Sequence, residues 1–205
     1  MCKICSKKTE IIFIDNVSYH FCPFCGFLAK TEEYIPNQND EYERYLKHEN
    51  NANDGYLKYQ EKFFDDIKLF LGAINLDFGC GDNHILANVL SKNGYDCRYY
   101  DLYFYPDVNY KKTRYDAIIL EEVIEHLKDP LLVLEELIYH LKADGKLIIK
   151  TMFVPKDVFD KKWWYLRDIT HISFFNKDTF LYLSKLLSLE IIYCNDKDLI
   201  ILKKA

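Results

Sequence analysis

The chain has 205 residues, a net charge of −5 at pH 7 and a sequence pI near 5.7. Hydrophobic residues make up 49% of it, which predicts a folded core and argues against a disordered chain. The acidic balance gives no general attraction to nucleic-acid backbones, and no apolar run is long enough to span a membrane. The N-terminal residues lack the apolar segment of a signal peptide, so we expect a cytoplasmic protein.

Two Cys-x-x-Cys pairs, separated by sixteen residues, lie near the N-terminus. This spacing is typical of a four-thiolate zinc site, and the residues between the pairs predict two short strands joined by a turn. Because four thiolates leave no open coordination position, such a zinc ion would be structural; redox pairs or chance spacing are the alternatives. We therefore predict a zinc ribbon over residues 1–30. Its predicted ligands are Cys2, Cys5, Cys22 and Cys25.

Residues 31–55 are polar and rich in turn formers, and we interpret them as a linker with one short helix over residues 41–49. Tyr42, Tyr45 and His48 recur there at three-residue spacing. The first interpretation is a stripe that packs on the following domain, and the alternative is a share in a ligand pocket.

A strand, a glycine turn and a helix are predicted around residues 73–90, with Asp77-Phe78-Gly79-Cys80-Gly81 at the turn. In an open α/β sheet such a turn binds a nucleotide-like ligand, although a plain tight turn gives the same pattern. Asp82 and Asn83 are expected to cap the helix. The next strand ends at Asp101, where related sheets place a carboxylate on ribose hydroxyls. The third glycine of a dinucleotide fingerprint is absent, which disfavours a ligand with phosphates.

Only fourteen residues separate Asp101 from Asp116, too few for the helix, strand and helix that usually follow. The third strand is therefore predicted to be missing or vestigial, which leaves the adenine-binding position unassigned. Further strands are expected up to Leu120 and over residues 146–152, and a helix over residues 176–187. An antiparallel hairpin over residues 189–202 should close the sheet.

These motifs, in this order, resemble class I S-adenosylmethionine-dependent methyltransferases. The matching segments are Asp77 to Gly81, Asp101, Tyr115 to Pro130 and Gly145 to Ile149. The resemblance covers roughly residues 56–205 and is closest to the branch with quinol and other small-molecule methyltransferases. It implies a Rossmann-like sheet with helices on both faces, S-adenosylmethionine as the cofactor and a small-molecule acceptor. Related enzymes often carry a similar N-terminal ribbon.

The resemblance also implies roles for individual residues. A hydroxyl acceptor must lose its proton to a base, and His126 and His171 are the candidates. The long connection after the fifth strand should wall the acceptor pocket, and Arg167 would pair with an anionic substrate group or with Asp168. The predicted cofactor contacts are Asp77, Gly79, Gly81, Asp101 and Glu122, and the two glycines are expected to contact the cofactor through exposed main-chain amides. The predicted substrate contacts are Trp163, Trp164, Tyr165 and Arg167.

Some alternatives stay open at this point. Some quinol O-methyltransferases hold a divalent cation beside the substrate hydroxyl, and Glu122, Glu125 and His126 resemble that pattern; the alternative is a purely bracing role in the loop. The chain is also compatible with a non-catalytic binding module that uses the ribbon to contact a protein partner. An RNA methyltransferase is a third interpretation, and it would need a basic face that the ribbon shows only modestly. The sequence indicates no oligomeric state.

Overall fold

The structure is a computed structural model that describes residues 1–47, 54–156, 158 and 163–205. The strands are β1 (Glu10–Ile14), β2 (Val17–Phe21), β3 (Leu28–Lys30), β4 (Ile74–Phe78), β5 (Asp96–Tyr100), β6 (Tyr115–Glu121), β7 (Leu141–Lys150), β8 (Ser173–Phe174), β9 (Leu189–Cys194) and β10 (Leu199–Lys204). The α-helices are α1 (Gln38–Leu46), α2 (Asp54–Ile67), α3 (Ile85–Lys92), α4 (Pro130–Tyr139) and α5 (Lys177–Leu186).

A six-stranded mixed sheet forms the centre of the molecule, in the order β5-β4-β6-β7-β10-β9. Strands β4 to β7 run parallel, and the hairpin of β9 and β10 joins antiparallel to β7. Helices α2 and α3 cover one face, and α4 and α5 cover the other. The predicted Rossmann-like α/β architecture with a C-terminal antiparallel hairpin is confirmed.

Strand β5 ends the sheet on one side, because the chain turns back after it. Asp101 and Tyr105 pair in an isolated antiparallel bridge, and a short 3-10 helix over Val108–Lys112 leads directly into β6. The predicted absence of the usual third strand is therefore confirmed for residues 101–115, all of which the structure describes.

A second sheet, in the order β1-β2-β3-β8, contains the N-terminal residues. Strands β1 and β2 form the predicted hairpin, and Asp15 and Asn16 turn it with left-handed φ angles of 48° and 66°. Strand β8 belongs to the distal part of the chain and pairs with β3. The N-terminal sheet is thus completed by residues that lie more than 140 positions further along the chain.

The N-terminal knuckle and α5 share one core. Phe27 packs on Phe175 with ring centroids 5.2 Å apart, and the Thr179 hydroxyl donates to the Cys25 carbonyl at 2.9 Å. Asn176 caps α5 by accepting from the Thr179 amide at 2.9 Å and donates its own amide to the Gly26 carbonyl at 3.3 Å. The cap of α5 therefore also orients the second cysteine pair.

Three local expectations need correction. Asp82 and Asn83 do not cap α3; His84 is the N-cap residue, with a left-handed φ of 37° and no side-chain cap hydrogen bond. Helix α1 begins at Gln38 because the Asn37 side chain accepts from two amides of its first turn. His48 and Glu49 of the predicted helix lie outside the described residues. Strand β7 begins at Leu141 and ends at Lys150, earlier at both ends than expected.

Within the described residues, no helix combines the length and the apolar character that crossing a bilayer requires.

We expect Thr179→Val to lower the free energy of unfolding by about 1–3 kcal/mol, because the valine keeps the shape but leaves the Cys25 carbonyl without its donor. Urea unfolding followed by circular dichroism measures the change. The control is Thr9→Val, which removes a half-buried hydroxyl that contacts His20 and not the Cys25 carbonyl. Equal losses in the two variants would contradict a specific role for the Thr179 contact.

Candidate functional site

A cavity of about 980 Å³ opens at the carboxyl ends of β4, β5, β6 and β7. Its volume is at the upper end of the range of about 300–1,000 Å³ that is usual for ligand pockets. The sequence-predicted residues in its wall are Asp77, Gly79, Gly81, Asp101, Glu122, His126, Trp164 and His171. The carboxyl edge of a parallel sheet thus brings together residues that are up to 94 positions apart, from Asp77 to His171.

The glycine turn lies at the base of this cavity. Gly79 and Gly81 have left-handed φ angles of 82° and 67°, and a Cβ at Gly79 would come within 2.5 Å of Val123 Cγ2. The Gly79 amide donates to the Tyr100 carbonyl at 2.7 Å, and the Gly81 amide donates to Asp101 Oδ2 at 3.0 Å. The expectation of exposed glycine amides is therefore corrected, because both hydrogens are engaged within the protein. Glycine is required here by the left-handed φ angles and, at Gly79, by the close approach of the Val123 side chain.

Asp101 joins the glycine turn to the loop after β5. Its Oδ2 accepts from the Gly81 amide, and its Oδ1 accepts from the amides of Tyr103 at 2.9 Å and Phe104 at 3.1 Å. A carboxylate has about four acceptor positions, so one remains for a ligand hydroxyl. Three backbone donors hold the carboxylate in a fixed orientation at the cavity wall.

An aromatic cluster supports the edge where the third strand is missing. The Tyr105 hydroxyl donates to the Asp82 carbonyl at 2.8 Å, so its oxygen accepts from His84 Nδ1 at 3.0 Å. The His84 ring stacks on Tyr99 with centroids 4.3 Å apart. These contacts connect the loop after β5 to the start of α3, and they give His84 a structural role.

Asp77 is nearly fully buried at the end of β4. Burial, followed by the neighbouring Glu121 carboxylate, raises the pKa of Asp77 to about 8, and a hydrogen bond from the Ala87 amide offsets this only in part. Burial also raises the pKa of Glu121, whose Oε2 accepts from Gln60 Nε2 at 2.8 Å. The sequence did not assign Gln60 or Glu121 to the site. The signal for Gln60 was a polar residue on the buried, apolar face of α2.

A buried proton lies between Glu122, Tyr165 and Glu125. The Tyr165 hydroxyl contacts Glu122 Oε2 at 2.8 Å and also makes a short contact with Glu125 Oε1. A phenol carries one hydrogen, so one of the two contacts needs a proton on a carboxyl group. Burial, followed by the charge of Glu122, raises the pKa of Glu125 well above its usual value. The three groups therefore share a buried proton, and burial favours the protonated form of Glu125.

The four predicted substrate residues have different positions. Trp164 lies in the cavity wall, whereas Tyr165 is buried behind it among Thr151, Glu122 and Glu125. Trp163 packs on Tyr165 and Phe174 and is not one of the residues that line the cavity. Arg167 is exposed. The expected pairing of Arg167 with Asp168 is corrected, because Arg44 makes the ion pair with Asp168 at 2.5 Å.

His126 and His171 lie side by side in the wall with ring centroids 4.8 Å apart. His126 Nδ1 lies 3.0 Å from the Thr170 carbonyl and His171 Nδ1 lies 2.8 Å from the Tyr165 carbonyl. A carbonyl only accepts, so each Nδ1 carries the proton and each Nε2 carries the lone pair of the neutral ring. Both rings are thus in the tautomer that presents Nε2 as a base.

The potential metal-ligand atoms of three side chains lie within 4.8 Å of one another; they belong to Glu125, His126 and His171. The set predicted from the sequence contained Glu122 in place of His171. The divalent cation that the resemblance implied at this position stays a prediction.

Helix α1 covers one side of the cavity. The hydroxyls of Tyr45 and Tyr103 donate to the two oxygens of Glu41, each at 2.9 Å, and the Tyr45 ring packs edge-on against His126. Arg44 connects the helix to the connection after β7 through Asp168. Tyr45 therefore packs against His126 and also lines the cavity. Both interpretations of the tyrosine stripe thus apply to this residue.

The four N-terminal cysteines converge in a second, buried site. The Sγ atoms of Cys2 and Cys25 are 3.7 Å apart and those of Cys5 and Cys22 are 3.4 Å apart. Tetrahedral zinc with bonds of about 2.3 Å separates its sulfur ligands by roughly 3.8 Å, so the arrangement fits this ion. Each pair lies on a knuckle turn, closed by the amides of Ser6 and Gly26 on the carbonyls of Cys2 and Cys22.

Comparison with known proteins adds to this geometry. Residues 44–192 match a family described as a methyltransferase domain. The structure resembles an O-methyltransferase family protein from Burkholderia thailandensis, with 14% identity and a TM-score of 0.55 over 80% of this chain and 63% of that one. It also resembles the mitomycin 7-O-methyltransferase MmcR, with 12% identity and a TM-score of 0.57 over 73% of this chain and 54% of that one.

A third similar structure is TnmH, with 13% identity and a TM-score of 0.55 over 83% of this chain and 64% of that one. The chain therefore spans between 54% and 64% of the length of these three structures. At such identities the likeness establishes a shared fold. A comparison with curated proteins found no match.

The raised pKa of Asp77 predicts a pH-dependent stability. An unfolded aspartate titrates near 3.8, whereas folded Asp77 titrates at about 8, so the folded state holds one more proton between these values. Stability therefore falls as pH rises through this window. Asp77→Asn cannot ionise and should gain stability relative to wild type, by up to about 1.4 kcal/mol per pH unit.

Urea unfolding at about pH 5, 6, 7 and 8 measures this trend. The control is Asp107→Asn, an exposed capping carboxylate whose pKa is lowered by its hydrogen bonds to Asn109. Its effect on stability should be constant over the same range. A pH-independent difference between wild type and Asp77→Asn would refute the desolvated state of Asp77.

Proposed function

The chain belongs to the methyltransferase-domain family of class I S-adenosylmethionine-dependent enzymes, and we propose that it transfers a methyl group from S-adenosylmethionine to a small-molecule acceptor. The observation that carries this proposal is the Asp101 carboxylate, fixed across the glycine turn in the wall of a large cavity. A carboxylate in this position is suited to the ribose hydroxyls of a nucleoside.

The cofactor would extend from Asp101 across the glycine turn toward Asp77. The remaining acceptor position of Asp101 would take a ribose hydroxyl, and Gly79 and Gly81 in the cavity wall would border the methionine part. Apolar side chains from the loop after β5 and from α4 offer faces for the adenine ring, in place of the missing strand; they are Leu102, Phe104 and Val133. Glu122 would border the methyl group.

The bound cofactor supplies an electrophilic methyl group on a positively charged sulfur. Because methyl transfer to an acceptor would be an in-line displacement, the main task of the residues that line the cavity would be alignment, which is worth about 7–11 kcal/mol. For a hydroxyl acceptor, His126 Nε2 or His171 Nε2 would take the proton. The carbonyl groups of Thr170 and Tyr165 hold the two rings in the required tautomer.

The cysteine site would hold a structural zinc ion. Four buried thiolates would complete its coordination, so the ion would contribute to folding and would not contact substrate. A ribbon of about 30 residues cannot bury a sufficient core alone. Zinc and the contacts with α5 and β8 would together fix its structure.

We expect Asp101→Asn to lower the affinity for S-adenosylhomocysteine about tenfold or more, because a hydrogen bond to a charged acceptor is lost. Isothermal titration calorimetry measures the affinity. The control is Asp107→Asn, which changes a carboxylate later in the same loop. An unchanged affinity in Asp101→Asn would exclude Asp101 from the cofactor site.

The same variants test the activity. Wild-type protein incubated with methyl-labelled S-adenosylmethionine and a small-molecule extract should produce a labelled compound, and Asp101→Asn should produce at least tenfold less at limiting cofactor. Binding of the cofactor without any labelled compound or macromolecule would support the alternative of a non-catalytic binding module. Label in RNA would support the RNA methyltransferase.

We expect one zinc ion per chain in the purified protein, measured by inductively coupled plasma mass spectrometry. Cys22→Ser should reduce the zinc content by more than half and lower the melting temperature, because a ligand of a closed site is lost. Cys97→Ser and Cys194→Ser change half-buried cysteines outside the cluster and should keep the full content. Metal-free wild-type protein with an unchanged melting temperature would refute a structural zinc site.

A further inference from the structure

The turn over residues 168–170 supports both candidate bases. His126 Nδ1 donates to the Thr170 carbonyl at 3.0 Å, and the main-chain amide of His171 donates to the Asp168 carbonyl at 3.3 Å. Thr170 is 1% exposed, so its carbonyl is shielded from water. The position of this carbonyl therefore decides which nitrogen of the His126 ring carries the proton.

The Asp168 side chain fixes the turn with both of its oxygens. Oδ1 accepts from the Thr170 amide at 2.9 Å and from the Thr170 hydroxyl at 2.7 Å. Oδ2 accepts from Nη2 and Nε of Arg44 at 2.5 Å and 3.1 Å. The side chain is only 13% exposed, and charge-assisted hydrogen bonds are strong when they are shielded from water. The carboxylate thus holds the same residue whose carbonyl orients the His126 ring.

Lys30 of β3 supports the turn from the ribbon. Its Nζ donates to the carbonyls of Asp168 at 3.0 Å and Ile169 at 3.2 Å, and the residue is buried. Burial lowers the pKa of Lys30 to about 8, and the Asp168 carboxylate opposes this shift. A buried charge is costly unless it is paired and hydrogen-bonded, so the lysine, the two carbonyls and the carboxylate stabilise one arrangement of the turn.

The main chain of the ribbon fixes the next part of the same segment. Strand β3 pairs with β8, and the Lys30 amide donates to the Ile172 carbonyl at 3.0 Å. The Ile172 amide in turn donates to the Glu125 carbonyl at 2.8 Å, next to His126 in the chain. The Lys30 side chain extends this support from residue 172 back to residues 168 and 169. One residue of the ribbon therefore contacts both ends of the segment that carries His171.

We propose that Lys30 and Asp168 are positioning residues that hold His126 in the tautomer that presents Nε2 as a base. Neither residue is among those that line the cavity, so both would act through the Thr170 carbonyl and not on the acceptor. The inference rests on the proposed function. It gives the ribbon a part in the reaction, because the lysine that fixes the turn belongs to β3.

Nitrogen NMR of protein with isotope-labelled histidine measures the tautomer of each ring, and His126→Gln identifies the His126 signals. At about pH 7.5 an ordinary imidazole is mostly neutral and Lys30 is still mostly charged. Lys30→Met removes the donors and keeps an extended side chain, and Asp168→Asn removes the charge and keeps the shape. Calorimetry with S-adenosylhomocysteine and label transfer from S-adenosylmethionine to the small-molecule extract are measured on the same proteins.

Each variant has a matched control. Lys204→Met removes an ammonium that likewise donates to two main-chain carbonyls. Asp116→Asn neutralises a carboxylate that likewise accepts from a backbone amide and from a cation, which is Lys142. Neither control residue is among those that line the cavity.

In wild-type protein the form of His126 with the proton on Nδ1 should prevail. In Lys30→Met and Asp168→Asn the ratio of the Nε2–H form to the Nδ1–H form should rise about fivefold or more. The rate of label transfer at saturating cofactor should also fall about fivefold or more, because a ring that leaves the Thr170 carbonyl loses its orientation as well as its tautomer. The affinity for S-adenosylhomocysteine should stay at the wild-type value, and the two controls should leave all three measurements unchanged.

A tautomer ratio that stays at the wild-type value in a folded variant would overturn the inference, and so would a changed ratio with an unchanged rate. Equal changes in the matched controls would also overturn it, because they would show a general structural effect. Melting temperatures identify variants that fail to fold, and Lys30 and Asp168 lie on different elements, so one folded variant is sufficient. Wild-type protein without affinity for S-adenosylhomocysteine would refute the proposed function, whereas the tautomer ratios need no cofactor and would still decide whether the two residues hold His126.

Discussion

The hydrogen bond from the Gly81 amide to Asp101 Oδ2 joins the two loops on which the cavity depends. Methyltransferase-like sheets normally have another strand beyond the one that carries this carboxylate, and here β5 is the edge. Without a neighbouring strand, the loop after β5 needs another support. The amides of Tyr103 and Phe104 on Asp101 Oδ1 and the bridge to Tyr105 provide it. The Asp101 carboxylate thus orders both the glycine turn and the loop that follows the edge strand β5.

The N-terminal sheet depends on the rest of the chain in a comparable way. Its fourth strand, β8, follows the aromatic connection, and Thr179 of α5 donates to a carbonyl in the second cysteine knuckle. The same connection carries Tyr165 and His171 to the cavity. The ribbon is therefore connected to the histidine pair through β8, which directly follows His171 and Ile172. These contacts give a structural reason why the ribbon and the six-stranded sheet occur in one chain.

Features that depend on residues close together in the sequence could be predicted from the sequence. The cysteine spacing, the glycine turn, Asp101 and the missing third strand each follow from local patterns or from the length of a segment, and the structure brings these residues together as expected. The glycine amides were misjudged because their partners, the Tyr100 carbonyl and Asp101, come from the neighbouring strand. Tyr165 was placed in the substrate wall because an aromatic residue in a long connection gives no indication of its side-chain direction.

The residues that sequence reasoning missed have roles created by tertiary contacts. Gln60 is one polar residue in an amphipathic helix, and its importance appears only when α2 places it against Glu121. The pairing of Arg44 with Asp168 joins positions 124 residues apart. Such contacts leave no periodic or spacing signal. The exception is a polar residue on an apolar helical face, which can be recognised before the structure is known.

Desolvated carboxyl groups give this cavity its chemical character. Asp77, Glu121, Glu122 and Glu125 all lie at the carboxyl ends of β4 and β6, and burial raises the pKa of each. Glu125 shares a buried proton with Tyr165 and Glu122 through the contacts of the Tyr165 hydroxyl. Asp77 has no such internal partner for Oδ2, and a positively charged ligand would stabilise its ionised form.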